Sequence, residues 1–278
     1  MMLLIFINLD RYIYLLLEEI MSKKKILFMG RKKYSAQMLE WTYNLGHDIV
    51  SVVTDSHFHN SPTKLMAESL NIPVISLEEA EKMIRDNPNC VDIVISYLFW
   101  RKLKEPIIST PKLGCINFHP AILPDWKGVG GYNNAILNKL TEWGASAHFV
   151  DESIDTGEII KIFKFSFDYR NETAQSLEEK TMRIQCDLYK SVMTDILNSE
   201  EKYSNTSPNI GGKYTSYKEL LEAMKVDPEK DDVKLKTHAF WFPPYHGAYV
   251  EISGETYTLV DEFILKQLKK DDQTANNC

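Results

Sequence analysis

Gly-Cys-Ile-Asn-Phe-His-Pro-Ala-Ile-Leu-Pro, residues 114–124, is the stretch that decides the fold of this chain. Its Cys, Ile and Phe are typical of a buried strand, and Asn117 and His119, two positions apart, project to the same face of that strand. Pro120 cannot donate a hydrogen bond to a neighbouring strand, so the strand is expected to end there. An Asn and a His therefore lie side by side at the carboxyl end of a strand, which is where ligands bind in open α/β sheets.

A second anchor, Asp-Thr-Gly at residues 155–157, follows a strand-like run at 145–150. Taken singly, each residue has a commoner explanation, since a histidine is often packed in a core and an Asn or an Asp-x-Gly is often a turn. Together they supply what acyl transfer to an amine needs. Asn117 can donate to an oxyanion, His119 can take or give a proton near neutral pH, and Asp155 can orient the histidine or accept its proton.

Composition restricts the class of protein. The 278 residues suit one large domain, or one domain with a small second one, and 44% of them are hydrophobic, which is ample for a core. The net charge of −7 argues against a general nucleic-acid surface but allows a local phosphate pocket. The four cysteines have no metal-ligand or CxxC spacing, so free thiols in a reducing cytoplasm are expected. His57 and His59 lack a third partner, so no metal site is expected.

The first twenty residues are rich in Leu, Ile and Tyr, and Asp10 and Arg11 interrupt them. They lack a basic n-region and a small-residue cleavage site, so neither a signal peptide nor a spanning helix is predicted. Met-Ser-Lys-Lys-Lys at 21–25 is typical of a natural start. We interpret residues 1–20 as an upstream extension from a wrongly assigned start codon; an interfacial anchor is the alternative.

Alternating strand-like and helical stretches predict an α/β fold: a Rossmann-like, mostly parallel sheet with helices on both faces, plus a small C-terminal α+β unit. Strands are predicted at 25–30, 47–55, 72–75, 91–98, 144–150 and 158–167, and helices near 35–45, 62–70, 77–85, 131–140 and 173–197. In the C-terminal unit the expectations are a helix at 216–224, strands at 234–241 and 248–260, and a charged, fraying tail at 261–278. The predicted organisation is an extension (1–20), a catalytic domain (21–200), a linker (201–213) and a C-terminal unit (214–278) with a possible role in dimerisation.

Asn117-Phe-His-Pro120, Leu123-Pro124, Lys127-Gly128 and Asp155-Thr-Gly157 together resemble the folate-dependent formyltransferase family, over roughly residues 23 to 200. The resemblance implies that Asn117, His119 and Asp155 are catalytic and that 10-formyltetrahydrofolate is the formyl donor. Two departures are Ala121, where many members have Ser, and Gly-Gly-Tyr-Asn at 130–133, where others read Ala-Ala-Pro.

The stretch 127–133 is similar to the branch that formylates amino sugars carried on nucleoside diphosphates. That branch implies an acceptor such as dTDP-4-amino-4,6-dideoxyglucose, a role in surface-polysaccharide (O-antigen) biosynthesis, a cytoplasmic homodimer, and no nucleic-acid or stable membrane partner. The candidate folate-binding residues are Leu98, Phe99, Trp100, Asp151 and Ile154. The candidate substrate-binding residues are Arg31, Lys33, Lys127, Gly128, Tyr132 and Asn133. Arg31 and Lys33 follow a strand and a glycine turn, where a helix N-terminus favours anions, although a solvated charge cluster fits the same residues.

Other functions remain open at this point. Methionyl-tRNA formylation expects a longer, basic C-terminal domain, whereas residues 225–236 carry as many acids as bases. Glycinamide ribonucleotide formylation needs little after the long helix. A non-catalytic folate- or nucleotide-binding module is disfavoured because all three catalytic candidates are present. A nicotinamide oxidoreductase is disfavoured because the GxGxxG fingerprint is missing.

Overall fold

The computed structural model describes residues 23–275, with side chains up to residue 269. The predicted extension at 1–20 lies outside the described residues. Strands are Lys25–Gly30 (β1), Asp48–Val53 (β2), Ile93–Tyr97 (β3), Cys115–His119 (β4), Trp126–Gly128 (β5), Glu142–Phe149 (β6), Ile159–Ser166 (β7), Lys213–Thr215 (β8), Tyr249–Ile252 (β9) and Glu255–Thr258 (β10). Helices are Lys32–Asn44 (α1), Pro62–Ser69 (α2), Leu77–Asp86 (α3), Gly131–Leu137 (α4), Ala174–Leu197 (α5), Tyr217–Ala223 (α6), Val233–Phe240 (α7) and Glu262–Ala275 (α8), with a 3-10 turn at Tyr169–Asn171. Among the described helices, none combines the length and apolar character needed to cross a membrane.

The described chain divides into two compact units, and the backbone passes from one to the other within β4. The first holds the described residues up to Ile116 together with Ser191–Ser204, and the second holds Asn117–Lys190 and the described residues from Asn205 onward. The limits of the predicted domains remain predictions.

The first unit is built on parallel strands in the order β2-β1-β3. β3 is buried along its whole length and β1 is buried after its first residue, as expected of parallel strands covered by helices on both faces. α3 begins with a capping box, in which Ser76 and Glu79 exchange side-chain and backbone hydrogen bonds. The predicted strand at 72–75 is reduced to a single bridge between Val52 and Val74.

The second unit contains β4, β6 and β7 as neighbours, with β6 and β7 antiparallel. The register of β6 against β7 shifts between Ala147 and His148, a β-bulge of the kind that re-aims a side chain. Two small sheets complete the unit: β5 pairs in parallel with β8, and β9 pairs with β10 in a hairpin. The α/β, mostly parallel Rossmann-like arrangement with a small C-terminal α+β part is confirmed.

The C-terminal elements share a hydrophobic core with residues 121–177 of the second unit. Its buried members are Ala121, Ala135, Ile136, Trp143, Leu177, Met224, Val226, Ala239, Phe240, Ala248 and Val250. By removing this apolar surface from water, the C-terminal part stabilises the segment that carries the site.

Two predictions about the C-terminal part were wrong. Residues 234–241 alternate polar and apolar side chains and were predicted to be a strand, but 234–240 belong to helix α7, which ends before Trp241. Asp232 caps that helix by accepting from the Leu235 amide at 3.0 Å, and the Thr237 hydroxyl bonds back to the Val233 carbonyl at 2.8 Å. The predicted fraying tail is helix α8, whose first turn is capped in the same way by the Asp261 carboxylate on the Ile264 amide at 3.0 Å.

Candidate active site

Strand β4 presents the two central residues as the sequence predicts. His119 is buried and Asn117 is half-buried, and the strand ends immediately before Pro120. Between them, the Phe118 carbonyl accepts a 2.7 Å hydrogen bond from Gln185 Nε2 of helix α5. This buried contact ties the end of the strand to the long helix and limits how far Asn117 and His119 can shift.

The two nitrogens of His119 have different partners. Nε2 lies 3.0 Å from the Trp126 carbonyl oxygen, and because a carbonyl can only accept, Nε2 carries the proton in this contact. Nδ1 lies 3.6 Å from Asp155 Oδ2. The Trp126 carbonyl therefore fixes the tautomer, a task that the sequence assigned to Asp155, and the unprotonated Nδ1 faces the carboxylate.

Asp155 is held in an unusual backbone conformation at the centre of the site. Its φ is +56°, a left-handed value that non-glycine residues seldom adopt, and the Gly128 amide donates to its Oδ2 at 2.9 Å. Burial by itself would raise the pKa of Asp155, but the neighbouring His119 and His148 and the Gly128 amide outweigh burial and hold the pKa at about 2. The carboxylate is therefore ionised at every working pH.

Gly128 is required by this arrangement. Its φ is +81°, and a Cβ added there would lie 2.4 Å from the Thr215 carbonyl oxygen. Only glycine lets β5 approach β8 this closely while the Gly128 amide reaches Asp155. The residue was predicted to bind substrate; its described contact is with the carboxylate of Asp155, a candidate catalytic residue.

His148 is a fourth member of the cluster. Its Nδ1 lies 2.7 Å from the Phe149 carbonyl and must donate to it, so the neutral ring accepts through Nε2 from the Asn117 amide nitrogen at 3.1 Å. Nε2 also lies 3.6 Å from Asp155 Oδ1. His148 was not among the candidate catalytic residues. The bulge that aims it at Asn117 has no signal in a single sequence.

The electrostatics keep His119 neutral and able to accept a proton. Burial lowers the pKa of His119 below its ordinary value and His148 adds to this, while the charge of Asp155 and the Trp126 carbonyl oppose it. A neutral imidazole beside a permanent carboxylate is a base whose protonated form is stabilised as soon as it appears.

The candidate folate-binding residues fall in two places. In the first unit, Leu98 has a left-handed φ of +57°, and the Phe99 and Trp100 rings lie 4.8 Å apart with Trp100 42% exposed. In the second unit, Asp151 accepts from the Ser153 amide and the Thr156 hydroxyl and so shapes the loop before Asp155, while Ile154 is exposed. An aromatic pair with one exposed ring is suited to a flat ring such as a pterin.

The candidate substrate-binding residues mostly have internal contacts. Arg31 donates from Nε to the Leu98 carbonyl at 3.3 Å and its guanidinium lies 5.3 Å from the centre of the Trp100 ring, whereas Lys33 is exposed. Lys127 is buried and donates to the Gly211 carbonyl at 2.8 Å. The remaining two are placed as follows: Tyr132 packs against the core shared with the C-terminal part, and Asn133 donates to the Ala239 carbonyl at 2.8 Å. Their role in substrate binding stays a prediction.

Sequence reasoning missed one residue at the site. Asn209, in the stretch predicted to be a linker, donates from Nδ2 to the carbonyls of Asp155 and Gly157 at 3.0 and 2.9 Å. Among residues 23–275, no group of three or more His, Cys, Asp or Glu side chains is placed to hold a metal ion.

Comparison with known proteins gives the arrangement a context. Residues 24–193 match the sequence profile of the formyl transferase family. A methionyl-tRNA formyltransferase from Nitrosomonas eutropha is 26% identical over 246 residues, which cover 84% of this chain and 77% of the relative.

Two solved structures share the fold. One is a 4-N formyltransferase from Francisella tularensis, with a TM-score of 0.71, 23% identity and coverage of 86% of this chain and 97% of that chain. The other is a sugar 3-N-formyltransferase solved with dTDP and 5-N-formyl-THF, with a TM-score of 0.67, 26% identity and coverage of 83% of each chain.

Proposed function

Because the chain belongs to the formyl transferase family, we propose that it transfers a formyl group to the amine of a nucleotide-linked amino sugar. The enzyme is a folate-dependent N-formyltransferase, and 10-formyltetrahydrofolate supplies the activated formyl group. The observation that carries the proposal is the cluster of Asn117, His119, His148 and Asp155, which provides an amide donor, a neutral base and an ionised carboxylate within 3.6 Å contacts.

The residues have distinct tasks in the proposed reaction. As the sugar amine adds to the formyl carbon, the Asn117 amide donates a hydrogen bond to the developing oxyanion. A donor of this kind lowers the activation free energy by about 3 kcal/mol. His119 takes the proton that the amine releases on Nδ1, the nitrogen left unprotonated by the Trp126 carbonyl. Asp155 stabilises the imidazolium at 3.6 Å, and the proton then leaves with the tetrahydrofolate product.

The proposed acceptor is a dTDP-linked 4-amino-4,6-dideoxy sugar, most specifically dTDP-4-amino-4,6-dideoxyglucose, with a role in O-antigen synthesis in the cytoplasm. In support, the sugar 3-N-formyltransferase solved with dTDP covers 83% of this chain. The acceptor methionyl-tRNA is favoured only by the names of the curated relatives. From residue 205 onward acidic residues outnumber basic ones, which is unfavourable for gripping RNA.

We also propose a homodimer. The exposed side chains of the β9–β10 hairpin, among them Ile252 at 56% and Tyr257 at 49%, support a contact between copies of the chain. Light scattering on the purified protein tests this, and a mass of one chain at micromolar concentration would contradict it.

The acceptor is tested with the purified enzyme, 10-formyltetrahydrofolate and a panel of amines. The panel contains dTDP-4-amino and dTDP-3-amino sugars, the matching UDP sugars, methionyl-tRNA and glycinamide ribonucleotide. Tetrahydrofolate release and mass spectrometry of the product are the readouts. The proposal expects a formylated dTDP-sugar with the highest kcat/KM; transfer to methionyl-tRNA or glycinamide ribonucleotide with none to any sugar would overturn it.

A further inference from the structure

The segment of residues 205–212, named here the return segment, leads from the end of the catalytic region to β8. Ser207 forms a two-way backbone bridge with Ile159, with N–H to O distances of 2.9 and 2.8 Å. At its other end the Lys213 amide donates to the Asp125 carbonyl at 2.8 Å, and Lys127 Nζ donates to the Gly211 carbonyl. Hydrogen bonds therefore hold the return segment at Ser207 and Gly211 and where it enters β8.

Asn209 lies between these fastenings and turns its side chain onto the loop of Asp155. Its Nδ2 donates one proton to the Asp155 carbonyl and the other to the Gly157 carbonyl. Since both partners can only accept, the amide must face them with its nitrogen. Asn209 Oδ1 is buried and has no hydrogen-bond partner among the described residues. The amide orientation that makes the two hydrogen bonds therefore leaves one buried oxygen unsatisfied.

The two donations fall at the point where the backbone most needs support. A non-glycine residue in the left-handed region is strained and persists only where its surroundings fix it. Asp155 has that conformation, and Asn209 closes the turn from the Asp155 carbonyl to the Gly157 carbonyl. The carboxylate of the same residue accepts from the Gly128 amide and lies 3.6 Å from a nitrogen of each histidine.

The return segment also helps to position the Gly128 amide. It leads directly into β8, whose Thr215 pairs with Gly128 of β5 and accepts from the Val129 amide at 3.0 Å. Gly212 has a φ of +79°, and its Cα packs so closely on Pro124 that an added Cβ would lie 1.6 Å from the Pro124 carbonyl oxygen. One continuous stretch thus fixes both the backbone of Asp155 and the donor to its carboxylate.

We propose that Asn209 is a positioning residue of the reaction, which sets the Asp155 carboxylate against His119 Nδ1 by closing the 155–157 turn. This inference rests on the proposed function for the identity of the reaction, but the geometry it predicts is independent of the acceptor. Displacing Asp155 by about 1 Å is expected to lower kcat about 10- to 100-fold, because catalytic geometry tolerates little error.

The experiment compares the full-length wild type with Asn209→Ala, the isosteric Asn209→Asp, Asp155→Asn as a reference, and Ser207→Ala as a control. Ser207 is exposed and contributes only its backbone to the bridge, so its side chain can be removed without touching the turn. The readouts are kcat and KM for formyl transfer, the thermal midpoint, and the titration of the His119 ring followed by NMR.

The expected result is a loss of kcat with unchanged KM in both Asn209 variants, with Ser207→Ala equal to wild type. Because the charge of Asp155 raises the pKa of His119, the His119 titration should move to lower pH in Asn209→Ala and in Asp155→Asn, and not in Ser207→Ala. A purely structural role would lower the thermal midpoint and leave the His119 titration where it is, and that outcome would overturn the proposal. Wild-type kcat in Asn209→Ala would overturn it too.

Two further arms keep the test decisive. Should Asn209→Ala fail to fold, Asn209→Ser, whose hydroxyl can donate only one hydrogen bond, takes its place and is expected to show an intermediate kcat and a smaller His119 shift. An unshifted His119 in a folded Asn209→Ser protein would refute the proposal. Should the wild type formylate no amino sugar, the proposed acceptor fails, while the NMR titration still decides the role of Asn209.

Discussion

Replacing Asp155 with Asn tests the electrostatic core of the proposed mechanism. The change keeps the size of the side chain and an oxygen for the Gly128 amide, but it removes the negative charge 3.6 Å from His119 Nδ1. At that distance a full charge pair is worth about 1 kcal/mol in bulk water and about 5 kcal/mol at the effective dielectric of about 20 that suits protein sites. Because the Asp155 charge favours the protonated ring, its removal should lower the pKa of His119.

The sign of the effect on activity follows from the role of the ring. His119 is active as the neutral base, so kcat/KM rises with pH as its proton is lost, and a lower pKa moves that acid limb to lower pH. A weaker base with an unstabilised conjugate acid also lowers the plateau, by about 10²- to 10⁴-fold if general-base catalysis is lost in full. Tetrahydrofolate release is measured from about pH 5 to about pH 9 for wild type and Asp155→Asn. The profile gives the position of the acid limb and the height of the plateau. An acid limb that stays in place while the variant remains folded would refute the coupling between Asp155 and His119.

The remaining predictions concern neighbouring steps. Asn117→Ala should lower kcat about 10²- to 10³-fold with little change in folate affinity, measured in single turnovers; near-normal transfer would remove Asn117 from the mechanism. Arg31→Gln and Lys33→Gln should each weaken nucleotide-sugar binding in calorimetry by about tenfold if they meet the diphosphate, and an unchanged affinity would redirect the search to other basic residues. Gln185→Leu should lower the free energy of unfolding by about 1–3 kcal/mol in urea titrations, because the buried Phe118 carbonyl loses its donor, and an unaltered unfolding midpoint would show that this bond is dispensable.

Local chemistry made the central strand predictable. The apolar residues around Asn117 and His119, with Pro120 after them, indicated a buried strand with a defined end, and β4 has those bounds. The convergence of Asp155 on this strand was predicted from a motif and the resemblance it carries. The particular partners, Trp126 for one histidine nitrogen and the carboxylate for the other, depend on loop geometry that no local pattern encodes.

The wrong prediction at helix α7 and the failure to predict the contact of Asn209 also have physical causes. Residues 233–240 alternate like a strand, but a capping Asp and packing against a shared core made a helix the better solution, as tertiary context often overrides local pattern. The return segment is polar and rich in Asn, Ser, Pro and Gly, which is the composition of a linker. The two hydrogen bonds of Asn209 join residues more than fifty positions apart, so the sequence gave no sign of its contact with Asp155.

The hydrogen bonds that hold the return segment in place affect where chimeras of related enzymes should be joined. Residues 205–212 lie beyond the part of the chain that matches the family profile, yet they brace a turn within it. A chimera that exchanges C-terminal halves between relatives at the end of the long helix α5 would replace residues 205–212. The 155–157 turn would then be supported by a segment from another protein. A crossover placed after Gly212 would keep residues 205–212 together with the turn that they support.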